Sequence, residues 1–169
     1  QCETRTYRYY DPKTRGLDLK GMLEDLSNAP RGSVILLHAC AHNPTGVDPS
    51  PEEWKQIRDV VKSRRLFPFF DTAYQGFASG SPERDAIAIR IFAESNMSML
   101  VAQSFAKNFG LYNERAGVLH IMCQTKDAAI ACKSRIALIV RAMYSNPPNH
   151  GARIVAKTFS NPKLYAQWQ

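Results

Sequence analysis

Residues 32 to 40, GSVILLHAC, hold an unbroken apolar run from Val34 to Leu37, and it stops at AHNPTGVDPS, where Pro44, Gly46 and Pro49 forbid continued regular structure. So short a run, apolar at every position rather than at alternate ones, has the form of a strand buried on both faces. Immediately afterwards, SPEEWKQIRDVVKSRR reads as a helix: Ser50 caps it, Pro51 occupies the first turn, and Glu53 completes a capping box. Trp54, Ile57, Val60 and Val61 fall on one side and give that helix a face to bury.

The alternation continues. LFPFFD (66 to 71) is the next strand, with Pro68 implying an edge or irregular position because it has no donor for the ladder. TAYQGFASGS is a glycine-rich loop, and PERDAIAIRIFAE is a second helix packing through Ile87, Ile91 and Phe92. MSMLVAQSF (97 to 105) and AGVLHIMCQ are two further strands. KDAAIACKSRIALIVRAM is a long helix with Ala129, Cys132, Ile136, Ile139, Val140 and Met143 at helical spacing. SNPPNHG breaks it, ARIVAKTF starts a shorter helix, and NPKLYAQWQ begins another after Asn161 and Pro162, leaving Trp168 exposed unless more chain follows. Strand, helix, strand, helix, strand, strand, helix is the order of an α/β fold: a three-layer α/β/α sandwich around a mostly parallel sheet. Strand order, and whether one strand runs antiparallel, are open at this stage.

Composition narrows the function classes. The 169 residues suffice for one domain with a sizeable core, and 44% hydrophobic with 22% charged residues is ordinary globular usage. No apolar run approaches the roughly 20 residues of a membrane span, since RIALIVRAM is itself interrupted by Arg141. The net charge of +7 suits an acidic partner, but the basic residues are dispersed and no nucleic-acid-binding signature accompanies them. Neither nucleic acid nor membrane is therefore expected as a partner. Cys2, Cys40, Cys123 and Cys132 lack the close spacing of a zinc or redox site and read as reduced core thiols, and no metal site is expected. Both ends look abrupt, as in a piece of a longer polypeptide.

Right-handed crossovers put the C-terminal ends of parallel strands on one edge, where such sheets bind ligands. That edge collects His42 and Asn43 after the first strand, Asp71 and Tyr74 at the end of the second, and Ser104 and Lys107 at the end of the third. A partly desolvated lysine near Arg115 has its free amine favoured, which is what imine formation with an aldehyde requires. Ser104 and Arg115 suit a phosphate, Asp71 can hold a proton on a heterocyclic nitrogen, and Tyr74 and Asn43 can donate to a phenolate oxygen. Each residue also has an ordinary structural reading: Asn43 as a turn former, Asp71 as a loop cap, Tyr74 as a core ring, Lys107 as a surface charge. Taken alone, the pattern supports a ligand site without naming the ligand.

HACAHNPTG, FFDTAYQGFASG, SFAKNFGLYNERAG and VRAMYSNPP, in this order and at these separations, resemble the successive signature segments of the class I pyridoxal-phosphate aminotransferases of the aspartate-specific kind. The likeness runs from TYRYYDPKTRGLDL to GARIVAKTFSNPKLYAQW. The resemblance implies fold type I and a pyridoxal 5'-phosphate cofactor. It also implies reversible amino transfer from L-aspartate to 2-oxoglutarate, giving oxaloacetate and L-glutamate. Lys107 is then the Schiff-base lysine and the base at the substrate alpha carbon, Asp71 the partner of the ring nitrogen, and Tyr74 and Asn43 the partners of the ring oxygen. Ser104 and Arg115 grip the phosphate, His38 and His42 support the ring from beneath, and Arg141 reaches a neighbouring subunit's site to pair with the distal carboxylate of a dicarboxylic substrate. Ser145 supports the phosphate across the same interface, so a homodimer with shared sites is expected.

Residues 1–169 are then part of the large cofactor-binding domain, with its N-terminal part and the small domain outside the chain. The resemblance further places outside it the aromatic residue over the ring and the arginine for the substrate alpha-carboxylate, so a piece of this length is expected to be inactive alone. Ala142 departs from the proline that the family has after the arginine, which loosens the aim of Arg141. An aromatic-acid aminotransferase, or a non-catalytic cofactor-binding or interaction module, would use most of the same residues. The wording of RGLDL and LFPFFD points to a cytoplasmic form, and the basic balance to the mitochondrial matrix.

Overall fold

In the computed structural model, which describes residues 3–169, the chain opens with a small antiparallel hairpin of β1 (Tyr10–Asp11) and β2 (Gly16–Leu17), followed by α1 (Leu19–Asn28). The main sheet is built from β3 (Val34–His38), β4 (Phe67–Thr72), β5 (Met99–Ser104) and β6 (Gly117–Met122), hydrogen-bonded in that order. β3, β4 and β5 are parallel and β6 returns antiparallel to β5. Between and after them lie α2 (Pro51–Ser63), α3 (Pro82–Asp85), α4 (Ile87–Ala93), α5 (Lys126–Tyr144), α6 (His150–Ser160) and α7 (Pro162–Trp168). The α/β architecture expected from the alternating pattern is present.

Local chemistry explains several boundaries. The Ser50 hydroxyl accepts from the Glu53 amide while the Glu53 carboxylate accepts from the Ser50 amide, so the capping box is closed in both directions. The predicted helix over PERDAIAIRIFAE is instead two helices: Ala86 leaves helical geometry at φ −84°, ψ 2°, ending α3, and Ile87 is 40% exposed while Ile91 and Phe92 are buried.

Pro68 does not put its strand at an edge. β4 lies between β3 and β5, and Pro68 is fully buried. The Phe67 amide donates to Ser33 on the β3 side, so the next residue's missing donor faces β5, whose ladder with β4 starts only at Phe69 and Leu100.

One face of the sheet carries the core. Ile35, Leu37, Phe70, Met99 and Val101 pack there against Trp54, Ile57, Val61, Ile91 and Phe92 of α2 and α4, with Met22 and Leu26 of α1. The rings of Trp54, Phe70 and Phe92 meet edge-on or tilted, with centroids 4.9 to 6.2 Å apart. The opposite face is less covered: Val34 and Leu36 are 61% and 51% exposed, so β3 is buried on one face rather than on both. α5 likewise has no buried residue, although its spacing suggested a packed stripe.

A second cluster centres on Phe105, Ala116 and Val155. Trp168 joins it: its ring stacks on Phe109 at 4.7 Å, and its indole nitrogen donates to the Asn108 carbonyl at 3.0 Å. It is therefore half-buried, contrary to the expectation of exposure. Gly151 permits this packing, because a Cβ there would stand 2.6 Å from the Glu114 Cβ and 3.1 Å from that of Ala116. α6 thereby braces the segment around Arg115 from outside.

Candidate functional site

The parallel strands β3, β4 and β5 bring their C-terminal ends side by side. In register, His38 pairs with Asp71, and Asp71 with Ala102. Asp71 alternates with the buried Phe70 and Thr72, so its half-buried carboxylate belongs to the sheet face away from the aromatic core. A cavity of about 330 Å³ lies on that side, lined by Asp71, Ala102, Ser104, Ala106, Arg115 and Gly117 among others. This volume falls at the small end of the roughly 300–1,000 Å³ typical of small-molecule sites.

The phosphate-suited pair is held by backbone. Phe105 donates to the Ala116 carbonyl at 3.0 Å, locking the ends of β5 and β6 together, and Gly117 lies so close to the Gln103 carbonyl that a Cβ would stand 2.7 Å from it. Arg115 immediately precedes Ala116, at φ 51°, is exposed, and donates one guanidinium N–H to the Tyr112 carbonyl at 3.0 Å. Ser104 accepts from the Ala106 amide at 3.2 Å, which leaves its hydroxyl proton available.

Asn43, Tyr74 and Lys107 form a second group next to the first. The Asn43 amide nitrogen lies 3.3 Å from the Tyr74 hydroxyl, and the Lys107 Nζ is 5.4 Å from the Tyr74 ring centroid, within cation–π range. Lys107 follows Ala106 of the cavity lining directly and is half-buried.

Beneath them the two histidines are ordered. His38 Nδ1 accepts from the Asn43 amide at 3.2 Å, and the His42 ring stacks on Tyr9 at 3.9 Å and lies 4.6 Å from the His38 ring. His42 Nδ1 is 2.7 Å from the Thr45 hydroxyl, and Asp48 accepts the amides of Ala41 and His42. Burial, reinforced by His38 and opposed by Asp48, holds His42 below its ordinary pKa, so the imidazole is kept neutral.

The structure thus gathers Asp71, Ser104 and Arg115 around one cavity, with Asn43, Tyr74 and Lys107 beside it. It does not bring in Arg141 or Ser145, which lie exposed at the C-terminal end of α5 and line no part of that cavity.

Several positioning groups escaped the sequence reading. Tyr9, far from the site in sequence, stacks on His42; Gln103 links Gln75 (2.7 Å) to His120 (3.0 Å) behind Ser104. Asp85, buried in the first helix after the glycine-rich loop, accepts the amides of Gly76, Ala78 and Ser79 and the Ser79 hydroxyl. It ties down the loop that carries Tyr74. In sequence it looks like any acidic residue in a first helical turn, and nothing local marks its burial.

A model of the family "Aminotransferase class I and II" matches residues 1–169. The chain belongs to the class I and II aminotransferases. Its curated relatives include the cytoplasmic aspartate aminotransferase of Oryza sativa subsp. japonica, 56% identical over 164 residues that cover 97% of this chain and 40% of the rice protein. Among solved structures, a mitochondrial aspartate aminotransferase from Trypanosoma brucei superposes with a TM-score of 0.95 at 52% identity, covering 98% of this chain and 44% of that one. The aromatic-amino-acid aminotransferase from Burkholderia pseudomallei, covalently bound to pyridoxal phosphate, gives a TM-score of 0.96 at 48% identity, covering 98% of this chain and 41% of that one. The fold is that of these enzymes, and the chain spans about two fifths of the length of the aminotransferases it matches. Among the described residues no helix is long and apolar enough to cross a membrane, and no cluster of side chains could hold a metal ion.

Proposed function

We propose that this chain is the central part of the large domain of a pyridoxal-phosphate-dependent aminotransferase that moves an amino group reversibly between L-aspartate and 2-oxoglutarate. The observation that carries the reading is the donor set at one sheet edge: a carboxylate, a hydroxyl and a guanidinium line one cavity, with an amine, a phenol and an amide alongside. These six groups match an aldehyde, a phosphate, a ring nitrogen and a ring oxygen, so the residues present fit the cofactor.

When bound, pyridoxal phosphate supplies an electron sink for the bond broken at the substrate alpha carbon. Asp71 holds the proton on the ring nitrogen. The Arg115 guanidinium and the Ser104 hydroxyl bind the phosphate, aided by the backbone lock between Phe105 and Ala116. Asn43 and Tyr74 donate to the ring oxygen, and their mutual contact pre-orients both donors. Lys107 would hold the cofactor at its aldehyde carbon and would move a proton at the substrate alpha carbon. His42, held below its ordinary pKa by burial, packs below beside His38.

Arg141 sets the substrate class. Its exposed place on α5, outside its own chain's cavity, suits a role in the site of a second subunit, where its planar fork would pair with a distal carboxylate. An uncharged side chain would leave that guanidinium unpaired, which disfavours aromatic substrates. We place the protein in the cytoplasm, as in the rice relative. Comparing kcat/KM on aspartate and phenylalanine in the natural-length protein and in its Arg141→Ala variant tests the reading. Selective loss of aspartate turnover supports it, and equal use of both substrates before and after the substitution contradicts it.

A further inference from the structure

Cys123 and Cys132 lie nine positions apart in sequence, on different elements: Cys123 just past the end of β6 and Cys132 in the second turn of α5. The fold brings their sulfurs to 4.0 Å, with Cys123 placed as donor to Cys132. Both are free thiols and both are half-buried, whereas Cys40 is buried, and Cys2 lies outside the described residues. No metal-binding cluster includes them among the described residues, and neither sulfur faces the cavity of the proposed active site.

We infer that Cys123 and Cys132 form a reversible intrachain disulfide, a modification site that clips the start of α5 to the end of β6. The sulfurs must close from 4.0 Å to the roughly 2.05 Å of a disulfide. Rotation about the side-chain bonds, with a small adjustment of the helix, provides this. α5 can adjust because it has no buried residue to hold it in place. The alternative pairings are poorer: Cys40 sits in the core at the end of β3, away from both.

Glutathione disulfide is a sufficient oxidant. One cysteine thiolate attacks it, forming a mixed disulfide and releasing one glutathione. The second thiolate attacks the protein sulfur of that adduct, closing the ring and releasing the other glutathione. Two protein thiols are oxidised, glutathione disulfide is reduced by two electrons, and the two protons end on the two glutathione thiols. Burial and the neighbouring sulfur raise the Cys123 thiol above its ordinary pKa, which slows its own attack as a thiolate. The clip would steady the helix that carries Arg141 at its other end.

The test uses the natural-length protein incubated with glutathione disulfide, alkylated, digested with trypsin and weighed. Cleavage after Arg115, Lys126 and Lys133 separates the two cysteines into different peptides, so the bond appears as a linked pair. The expected result is that linked pair, lost on adding dithiothreitol, together with a rise in Tm of the oxidised protein and no link in Cys123→Ser. In Cys132→Ser the reaction is expected to stop at a glutathione adduct on Cys123, while Cys40→Ser leaves the link intact. Recovery of both peptides alkylated, or carrying separate glutathione adducts, from folded wild-type protein would overturn the inference. So would a link that forms only after the protein is unfolded in urea.

Discussion

The Asn43 amide nitrogen stands 3.3 Å from the Tyr74 hydroxyl although 31 residues separate them. The contact exists because β3 and β4 are parallel neighbours whose following loops leave the sheet at the same edge. It is long for a hydrogen bond, so its worth to folding is small, and its value lies in holding two donors at one point.

Tyr74→Phe is therefore expected to leave the thermal midpoint nearly unchanged while weakening cofactor retention about 2- to 10-fold, the equivalent of one modest hydrogen bond. Dialysis against buffer followed by absorbance measures this. A large loss of stability with unchanged retention would place Tyr74 in the fold rather than the site.

The buried Asp85 carboxylate accepts three amides and one hydroxyl from residues 76 to 79. Asp85→Ala leaves those donors without a partner and is expected to cost about 2–4 kcal/mol, read from the urea midpoint. Asp85→Asn, which keeps one acceptor, should cost less.

Phe92 is fully buried against Trp54 and Phe70 on the covered face of the sheet. Phe92→Ala is expected to destabilise the protein by about 3–5 kcal/mol through the cavity it leaves. Truncating the exposed Leu138 of α5 should change the same unfolding curve far less in this chain.

His42 titrates below the ordinary 6.5 of a histidine, chiefly through burial. Its folded value is depressed, so the stability it contributes is present above pH 6.5 and is lost as the pH falls through the folded value. His42→Asn is expected to flatten the acid side of a plot of Tm against pH. An unchanged acid limb would mean that another group governs it.

Much of this architecture was legible because its causes are local. The capping box at Ser50 and Glu53 is written in four consecutive residues, and the apolar run from Val34 to Leu37 needs only its own composition to be a strand. What remained hidden depends on neighbours in space. Pro68 looked like an edge residue because sequence does not tell which side of a strand lacks a partner at one position. Ala86 breaks a helix that propensity would continue, at the point where Asp85 is drawn in by the loop. Trp168 is covered by Phe109, some sixty residues earlier, and the two cysteines meet only when β6 and α5 pack. The candidate residues Asp71, Ser104 and Lys107 stand out in the sequence because each follows an apolar run, while Tyr9 and Gln103 carry no such signal.

The central claim, that one lysine at this sheet edge holds the cofactor, is tested most directly by borohydride trapping in the natural-length protein loaded with pyridoxal phosphate, followed by peptide mass mapping. The prediction is a phosphopyridoxyl group on Lys107 alone, and no trapped cofactor in Lys107→Ala. A trapped group on Lys126 or Lys133 instead, or trapping undiminished in Lys107→Ala, would contradict it.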